Sequence, residues 1–254
     1  MIHGNSTRNH VLIFLYATEK KEYNKNIVLR IAETGGYVMA KQLTDNEKID
    51  VMKRIVAAEW EMFQRVNHID GRADCQNDKL TFYFMRLSQF GEWSDPMLLC
   101  YEQDLIKAKE QERNLVMEKY AYMMETTDPE YYATRLAPFL PNIESATMQL
   151  IREICDYVVE CELAFAARYP NLSRAGRPIT AGSDAAEVTS VETYTIGELK
   201  TYSKETLEQY IQHIRAQKAA GKNMVLAIKD ALVKYQGYAS LDEAERRTPQ
   251  SPLS

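Results

Sequence analysis

Apolar residues recur at steps of three and four along much of the chain, which is the spacing of one face of an α-helix. Three runs are clearest: Ile49, Met52, Val56, Trp60 and Phe63; Ile151, Ile154, Val158, Cys161 and Phe165; and Val225, Ile228, Leu232 and Tyr235. No run of alternating apolar and polar residues persists beyond residue 43. The pattern therefore predicts an all-α fold.

Short signals mark where several of these helices begin and end. "TDNE" at 44–47 has the spacing of a capping box. "SDP" at 94–96 and "DPE" at 128–130 place a cap residue just before a proline, as at the start of many helices. Gly221 and Gly237 are typical of the position just past a helix end. We expect roughly eight to ten helices, since single sequences leave helix boundaries imprecise.

The same pattern divides the chain into three parts. Residues 1–43 have polar ends and one apolar run, which is typical of a loosely docked or partly disordered extension. Residues 44–240 should form one compact helical domain with a long polar loop at 171–190. Residues 241–254 are assigned to a C-terminal tail, because the ending "RRTPQSPLS" has no periodicity.

Composition and charge narrow the class of protein. The net charge of −5 provides no general attraction for nucleic acid, so a polyanion would need a local basic patch. The four cysteines lack C-x-x-C spacing, as expected of reduced thiols in a cytoplasmic protein. The apolar run "VLIFLY" is too short to cross a membrane. We expect a cytoplasmic protein with no membrane partner.

Several common catalytic motifs are missing from the sequence. Gly221-Lys222 lacks the upstream glycine of a phosphate-binding loop, and neither G-x-S-x-G nor H-E-x-x-H occurs. Of four histidines, His3 and His10 lie in the extension, so a histidine-based metal site is not expected. We predict neither a cofactor nor a metal. The carboxylate side chains therefore remain as the candidate functional groups.

"HIDGRADCQND", residues 68–78, concentrates polar and ionisable residues between two helical stretches. Asp74 and Asp78 are four apart, one turn if a helix begins there, and such a pair can share a proton, bind a guanidinium or bind a cation. Asp78 could equally complement a helix dipole from the first turn. Cys75 is expected to be a packed thiol rather than a nucleophile.

Two later helical stretches also carry carboxylates beside tyrosines. "MEKYAYMMETT" places Glu118 and Glu125 seven apart on one helical face, with Tyr122 one turn beyond Glu118. The alternative is a solvated helix edge, which is the usual setting of isolated glutamates.

"TSVETYTIGELKTYS" is the densest candidate. Thr189 and Glu192 have the spacing of a capping box, which would account for Glu192 without any catalytic role. Glu198 follows Gly197, and a glycine inside a helix usually indicates close approach of another chain segment or a ligand. Tyr194 shares a face with Glu198, so a ligand amine or guanidinium would meet a carboxylate and a phenol together.

Five blocks resemble a domain-of-unknown-function family of anaerobic bacteria and fungi: "GRADCQND", "NLVMEKYAYMMETT", "ARYPNLSRAGRPI", "TSVETYTIGELKTYS" and "YQGYASLDEAE". The resemblance runs from about residue 50 to 247, with the blocks in family order. Some fungal members are arginine-containing cyclodipeptide synthases that carry a D-D-x-x-E motif. Here "SDAAE" and "LDEAE" keep only the second aspartate and the glutamate, which would fit a distant member with another acceptor.

The resemblance implies an enzyme that takes arginine and a second amino acid from aminoacyl-tRNAs and closes them into a cyclic dipeptide. Because the aminoacyl esters are already activated, the reaction needs no ATP. The enzyme must hold two esters in attack geometry. It must also deprotonate an α-ammonium group, which suits a glutamate with a raised pKa.

With that reaction in mind, the candidate residues fall into three groups. The catalytic candidates are Glu198, Glu192, Asp78 and Asp74. The substrate-binding candidates are Arg72, Gln76, Glu118, Tyr122, Glu125, Tyr194 and Tyr202. The candidates for binding tRNA phosphates are the cations Arg168, Arg174, Arg177, Lys200 and Lys204. The 68–78 connection would then form one wall of a carboxylate-lined pocket.

Two other hypotheses remain open at this point. One is a carboxylate-based transferase or hydrolase on the same helical scaffold, with or without a bound cation. The other is a non-catalytic helical interaction module whose polar connections are well-capped corners.

We expect a chain that begins at Lys41 to fold as the full chain does, because the helical pattern begins near Thr44. Circular dichroism and thermal unfolding of the two chains test this expectation. A shortened chain that stays unfolded while the full chain folds would contradict it.

Overall fold

The fold is known from a computed structural model that describes residues 42–66, 71–185 and 188–249. Most of the predicted extension, residues 1–41, lies outside these ranges. The described residues form eleven α-helices and no β-strand, so the all-α prediction is confirmed. No helix in these ranges is long and apolar enough to cross a membrane.

The helices follow one another with short connections. They are α1 (Asp45–Gln64), α2 (Lys79–Gly91), α3 (Asp95–Glu110), α4 (Leu115–Thr127), α5 (Pro129–Tyr131), α6 (Ser145–Arg168), α7 (Pro170–Arg174), α8 (Val191–Leu199), α9 (Lys204–Ala219), α10 (Met224–Tyr235) and α11 (Leu241–Arg247). Short 3₁₀ turns occupy Asp74–Asn77, Ala137–Phe139 and Ala181–Ser183, and a π turn occupies Tyr132–Leu136.

The ends of α1, α3, α5, α9 and α10 lie where the sequence signals predict them. Thr44 opens α1 with a capping box, in which its hydroxyl accepts a hydrogen bond from the backbone N–H three residues on. Ser94 and Asp128 hold the N-cap positions of α3 and α5, each with a proline in the first turn. Gly221 and Gly237, at φ of +64° and +92°, follow α9 and α10 in the left-handed region that glycine tolerates.

Fully buried aliphatic side chains form the centre of the domain: Ile55 of α1, Leu98 of α3, Ile154 of α6 and Leu207 of α9. Trp93, in the turn between α2 and α3, is also fully buried and extends this core with aromatic contacts. Its ring lies 4.8 to 6.1 Å, centroid to centroid, from the rings of Phe90, Tyr101, Tyr202 and Tyr210. Edge-on and tilted contacts between aromatic rings contribute stability beyond that of the apolar area they bury.

The helical domain continues past the predicted boundary at residue 240. Helix α11 lies in the segment assigned to a tail, and its Ala244 is fully buried. The Glu245 carboxylate accepts hydrogen bonds from the backbone N–H groups of Asn171 and Leu172, at 2.8 and 2.9 Å, at the start of α7. A helix of seven residues is too short for its periodicity to be read from sequence. The domain therefore includes α11.

Helices α4 and α8 approach closely at Gly197. A Cβ atom at this position would lie 2.7 Å from Cγ of Met123 and 2.9 Å from the carbonyl oxygen of Lys119. The backbone oxygen cannot move aside without shifting α4. The interpretation of Gly197 as a sign of close approach by another chain segment is confirmed.

We expect Gly197→Ala to lower the free energy of unfolding by about 1–3 kcal/mol, because the added methyl group overpacks the α4–α8 contact. Gly91→Ala is the control, because a Cβ there meets no atom within 4 Å and alanine favours the helix. Urea unfolding of both variants tests the expectation. Equal stability of the two variants would contradict it.

Candidate functional site

Four charged residues from four helices meet in the interior of the domain. Glu59 of α1, Arg86 of α2, Lys119 of α4 and Glu198 of α8 are each no more than 8% exposed. We call these four residues the charge cluster. Its two carboxylates and two cations balance, which is the condition for keeping ionised groups out of water.

Arg86 links the two carboxylates of the charge cluster. Its guanidinium binds Glu59 through two parallel hydrogen bonds, of which the one from Nε to Oε2 measures 2.7 Å. Its Nη1 atom donates to the Glu198 carboxylate at 3.1 Å and to the side-chain oxygen of Gln89 at 2.7 Å. The guanidinium also lies 4.6 Å from the ring centroid of Phe90. The planar donor fork of arginine suits this bridging role, which a lysine could not fill.

Lys119 and three tyrosines complete the network. The Lys119 ammonium donates to Oε2 of Glu198 at 3.3 Å and to the hydroxyl oxygen of Tyr194 at 2.7 Å. The hydroxyl of Tyr202 donates to Glu198 at 2.8 Å, and that of Tyr101 donates to Glu59 at 2.7 Å. Each carboxylate therefore accepts hydrogen bonds from two other helices at once.

The electrostatics of the cluster keep Glu198 ionised. Burial raises the pKa of Glu198, but Arg86 and Lys119 outweigh burial and hold that pKa far below the ordinary value of 4.5. Burial lowers the pKa of Lys119, but Tyr194 and Glu198 reverse this and leave it above its usual range. Burial and Glu198 raise the pKa of Tyr202 well above its ordinary value. Glu198 is thus a fixed anion at neutral pH and a poor proton acceptor.

Three members of the cluster, Glu59, Arg86 and Lys119, were not among the predicted site residues, although each occupies a buried position in a helix. Glu59 follows Ile55 by four residues and precedes Phe63 by four, so it lies on the apolar stripe of α1. Arg86 lies one turn from both Phe82 and Phe90 in α2. A charged residue in the apolar register of a helix is the signal that would have found them.

Two cavities adjoin the charge cluster. They share the lining residues Met85, Arg86, Arg177 and Tyr194. The first, about 270 Å³, is lined by the aromatic residues Phe63, Phe82 and Tyr120 together with Glu59, Lys119, Val116, Cys75, Asp78 and Thr81. We call it the aromatic cavity.

The second cavity, about 300 Å³, has mainly aliphatic walls from α6, α8 and α10. These walls include Val158, Val191, Leu199, Val225, Ile228 and Leu232, with Glu198, Gln89, Tyr202 and Tyr210 nearer the cluster. We call it the aliphatic cavity. Together the two cavities form a divided pocket. Of the four residues that they share, Arg86 belongs to the charge cluster and Tyr194 contacts it through Lys119.

Four of the predicted site residues come together at the aliphatic cavity, one of which is Arg177, which lines both cavities. Glu198, Tyr194 and Tyr202 all line the aliphatic cavity, and Tyr194 lines both cavities. The guanidinium and ammonium that Glu198 was predicted to contact are supplied by the protein itself, from Arg86 and Lys119.

Glu192 lies away from the two cavities, and the predicted capping box at Thr189 is wrong. The N-cap of α8 is Ser190, whose hydroxyl accepts a hydrogen bond from the backbone N–H of Thr193 at 3.1 Å. The Glu192 carboxylate instead accepts from the backbone N–H of Ala181 at 2.7 Å. Glu192 therefore fastens the long loop, which the sequence spacing alone could not distinguish from a cap.

Some residues of the 68–78 connection line a cavity and others hold the fold together. Residues 68–70 lie outside the described part of the chain. Asp78 is the N-cap of α2 and also lines the aromatic cavity. Asp74 is exposed and lines neither cavity. Cys75 is exposed and lines the aromatic cavity, so the expectation of a packed thiol is wrong.

Gln76 and Arg72 hold this corner together. The Gln76 amide is buried and donates to the backbone oxygens of Phe63 and Val66 at 2.8 and 3.0 Å. Arg72 donates to Asn77 at 2.8 Å and to the backbone oxygen of Gln76 at 2.7 Å. Both predicted substrate-binding side chains are thus engaged in scaffold contacts: Arg72 bonds within the connection, and Gln76 ties it to the end of α1.

The predicted set on α4 faces away from the cavities. Glu118 pairs with Arg113 at 2.6 Å and lines a separate surface groove. The Tyr122 hydroxyl donates to the backbone oxygen of Pro141 at 2.8 Å. Glu125 forms an ion pair with Lys200. Opposite sides of α4 therefore serve the groove and the aromatic cavity.

The predicted tRNA-binding cations differ in accessibility. Arg168, Arg174 and Arg177 are exposed, and Arg177 lies over the Tyr194 ring at 5.0 Å where the cavities meet. Lys204 is exposed and lies 3.8 Å from Glu208. Lys200 is buried in its ion pair with Glu125, so it does not present its ammonium to the surface.

The chain matches a known protein family. Residues 49–246 match the model of a family described as "Protein of unknown function (DUF4125)". The match covers most of the chain, and the protein belongs to this family. No curated protein and no solved structure matches the chain.

We expect Glu198→Gln to lower the free energy of unfolding by about 3–5 kcal/mol, because it leaves two buried cations facing one carboxylate. Glu153→Gln is the control, because this carboxylate is half exposed and lies 3.6 Å from Arg215 at the surface. Urea unfolding at neutral pH measures both. A loss of about 0.5 kcal/mol or less in each variant would contradict the expectation.

The depressed pKa of Glu198 also sets a pH dependence. Folding favours its ionised form, so the stability it contributes is present above pH 4.5 and is lost as the pH falls below 4.5 towards the folded-state pKa. Wild-type unfolding free energy should therefore fall more steeply below pH 4.5 than that of Glu198→Gln. Parallel pH profiles for the two proteins would show that Glu198 is not responsible.

Proposed function

We propose that the protein is a cytoplasmic, aminoacyl-tRNA-dependent synthase that condenses arginine and a second amino acid into a cyclic dipeptide. Five sequence blocks resemble a family whose fungal members include arginine-containing cyclodipeptide synthases, and this resemblance suggests the reaction. The observation that carries the proposal is the pair of adjoining cavities, of about 270 and 300 Å³, that meet at Tyr194 and Arg177. Its partners would be arginyl-tRNA and a second aminoacyl-tRNA.

A divided pocket suits a reaction between two similar substrates. Each cavity would hold one amino-acid side chain, and the reacting α-amine and ester carbonyl would meet at the shared wall of Met85, Arg86, Arg177 and Tyr194. Holding both groups in contact makes the attack effectively unimolecular, which is the main contribution an enzyme can make to an already activated ester.

The chemistry requires two successive acyl transfers. The α-amine of one aminoacyl group attacks the ester carbonyl of the other, an amide bond forms, the ester C–O bond breaks, and a tRNA ribose hydroxyl leaves with the proton. The amine of the resulting dipeptidyl ester then attacks the remaining ester carbonyl, which closes the ring and releases the second tRNA.

Tyr194 is the residue best suited to stabilise the oxyanion of each transfer. Its hydroxyl oxygen accepts a hydrogen bond from the buried ammonium of Lys119 at 2.7 Å. That bond leaves the phenolic proton to be donated to a carbonyl oxygen at the shared wall. The ammonium behind it polarises the phenol as charge develops on the substrate.

A glutamate base is not needed for this reaction. An α-amino group has a pKa of about 8, so an appreciable fraction is already neutral near neutral pH. The ionised Glu198, with its lowered pKa, would instead fix the positions of Lys119 and Tyr202. Glu198 would thus hold neighbouring side chains in place, and it would not act as the predicted glutamate base of raised pKa.

Mass spectrometry of extracts from cells that overexpress the chain tests the proposal, with Tyr194→Phe as the matched control. Wild-type cells should accumulate a new arginine-containing cyclic dipeptide, and the Phe variant should make at least about tenfold less, because it lacks the donating hydroxyl. The purified protein should form the same product from arginyl-tRNA and a mixture of other aminoacyl-tRNAs. No cyclic dipeptide from folded protein in either assay would refute the proposal.

We expect Arg177→Gln to weaken binding of aminoacyl-tRNA and to reduce the slope of log affinity against log salt by about one, because one phosphate contact is lost. Arg215→Gln is the control, because this exposed cation on α9 lines neither cavity. Filter binding at several salt concentrations measures both slopes. Equal slopes for wild type and Arg177→Gln would remove Arg177 from the interface.

A further inference from the structure

We propose that the two cavities divide the substrates by chemistry: the aromatic cavity takes the arginyl side chain, with Asp78 as its carboxylate partner, and the aliphatic cavity takes an apolar side chain. This inference rests on the proposed function and deepens it, because it assigns the class of the second amino acid. It follows from the different walls of the two cavities.

The walls of the aromatic cavity suit a planar cation. The rings of Phe63 and Phe82 are stacked with centroids 5.3 Å apart, and Tyr120 lies 6.4 Å from Phe63. A guanidinium packs favourably against such rings through cation–π contact and stacking. Burial raises the pKa of Tyr120 to about 12, so its phenol stays neutral and contributes its ring rather than a charge.

Asp78 supplies the matching negative charge in the aromatic cavity. Its Oδ1 atom accepts a hydrogen bond from the backbone N–H of Thr81 at 3.0 Å, which fixes the carboxylate at the start of α2. Hydrogen bonds from Thr81 lower the pKa of Asp78, so the group is ionised near neutral pH. The other carboxylate in this cavity, Glu59, is already bound by the Nε and Nη2 atoms of Arg86. Asp78 is therefore the carboxylate best placed for a ligand guanidinium.

The aliphatic cavity offers no comparable partner for a cation within the described part of the chain. Its carboxylates are Glu162, which pairs with Lys229 at 3.0 Å, and Glu198, which is bound within the charge cluster. Its remaining wall consists largely of branched aliphatic side chains from α6, α8 and α10. Transfer of an apolar side chain from water to such a surface is favourable in proportion to the area buried.

Binding of two small esters tests the assignment without requiring turnover. The probes are L-arginine methyl ester and L-leucine methyl ester, which carry the side chain and ester of the two substrates, and titration calorimetry measures both. Asp78→Asn should bind the arginine ester about tenfold or more weakly than wild type and the leucine ester equally well. Asparagine caps a helix as well as aspartate, so α2 keeps its start. Asp74→Asn, an exposed neighbour outside both cavities, should leave both affinities unchanged.

Filling the aliphatic cavity tests the other half of the assignment. Leu232→Trp should weaken binding of the leucine ester about tenfold while leaving the arginine ester unaffected, because the larger ring occupies the cavity. Leu163→Trp is the control, because this side chain on α6 is 52% exposed and lines neither cavity. Melting temperatures of both variants show whether the fold is retained, and unchanged binding of the arginine ester confirms it.

The outcomes separate this inference from the proposed function. Equal affinity of wild type and Asp78→Asn for the arginine ester would overturn the assignment of Asp78, even if cyclic dipeptides are made. If Leu232→Trp loses binding of both esters while its melting temperature is unchanged, the division into two subsites is overturned. The assignment is supported if Asp78→Asn weakens binding of the arginine ester only and Leu232→Trp weakens binding of the leucine ester only. This holds whether or not product forms in the cellular assay.

Discussion

The charge cluster must be neutral, and this requirement limits how the helices of the domain can pack. Glu59, Arg86, Lys119 and Glu198 are all removed from water, so each must find its opposite charge within the protein. Each comes from a different helix, and the network can form only when α1, α2, α4 and α8 are in register. Such a cluster adds little net stability compared with a hydrophobic core, but it strongly penalises any arrangement that leaves one member unpaired.

The same cluster accounts for the shape and electrostatics of the candidate site. The Arg86 side chain belongs to the wall between the two cavities, and Lys119 positions the hydroxyl of Tyr194 where they meet. Because the cations and carboxylates neutralise one another, the cavities offer directed donors rather than a strong field of one sign. We infer that Glu198 acts through this frame, as the anion that holds Lys119 and Tyr202, and not as a base.

Much of the fold could be predicted because its signals are local. The periodicity of α1, α6 and α10, the cap at Thr44 and the glycines after α9 and α10 depend on neighbours within a turn or two. The site could be predicted only in part, because Arg86 and Glu198 are separated by 112 residues and no local spacing relates them. Gln76 and Glu192 were misleading for a related reason: a side chain that fastens a corner or a loop has the same composition and spacing as one that binds a ligand.

A double-mutant cycle between Lys119 and Glu198 tests whether charge balance holds the interior of the domain together. Lys119→Met and Glu198→Gln each leave an unbalanced charge in the interior, whereas the double variant retains the neutral pair of Glu59 and Arg86. Urea unfolding of the four proteins gives the coupling energy. We expect the double variant to be more stable than the sum of the single changes indicates, by about 1–3 kcal/mol. Additive losses, within about 0.5 kcal/mol, would contradict a charge balance at the centre of this fold.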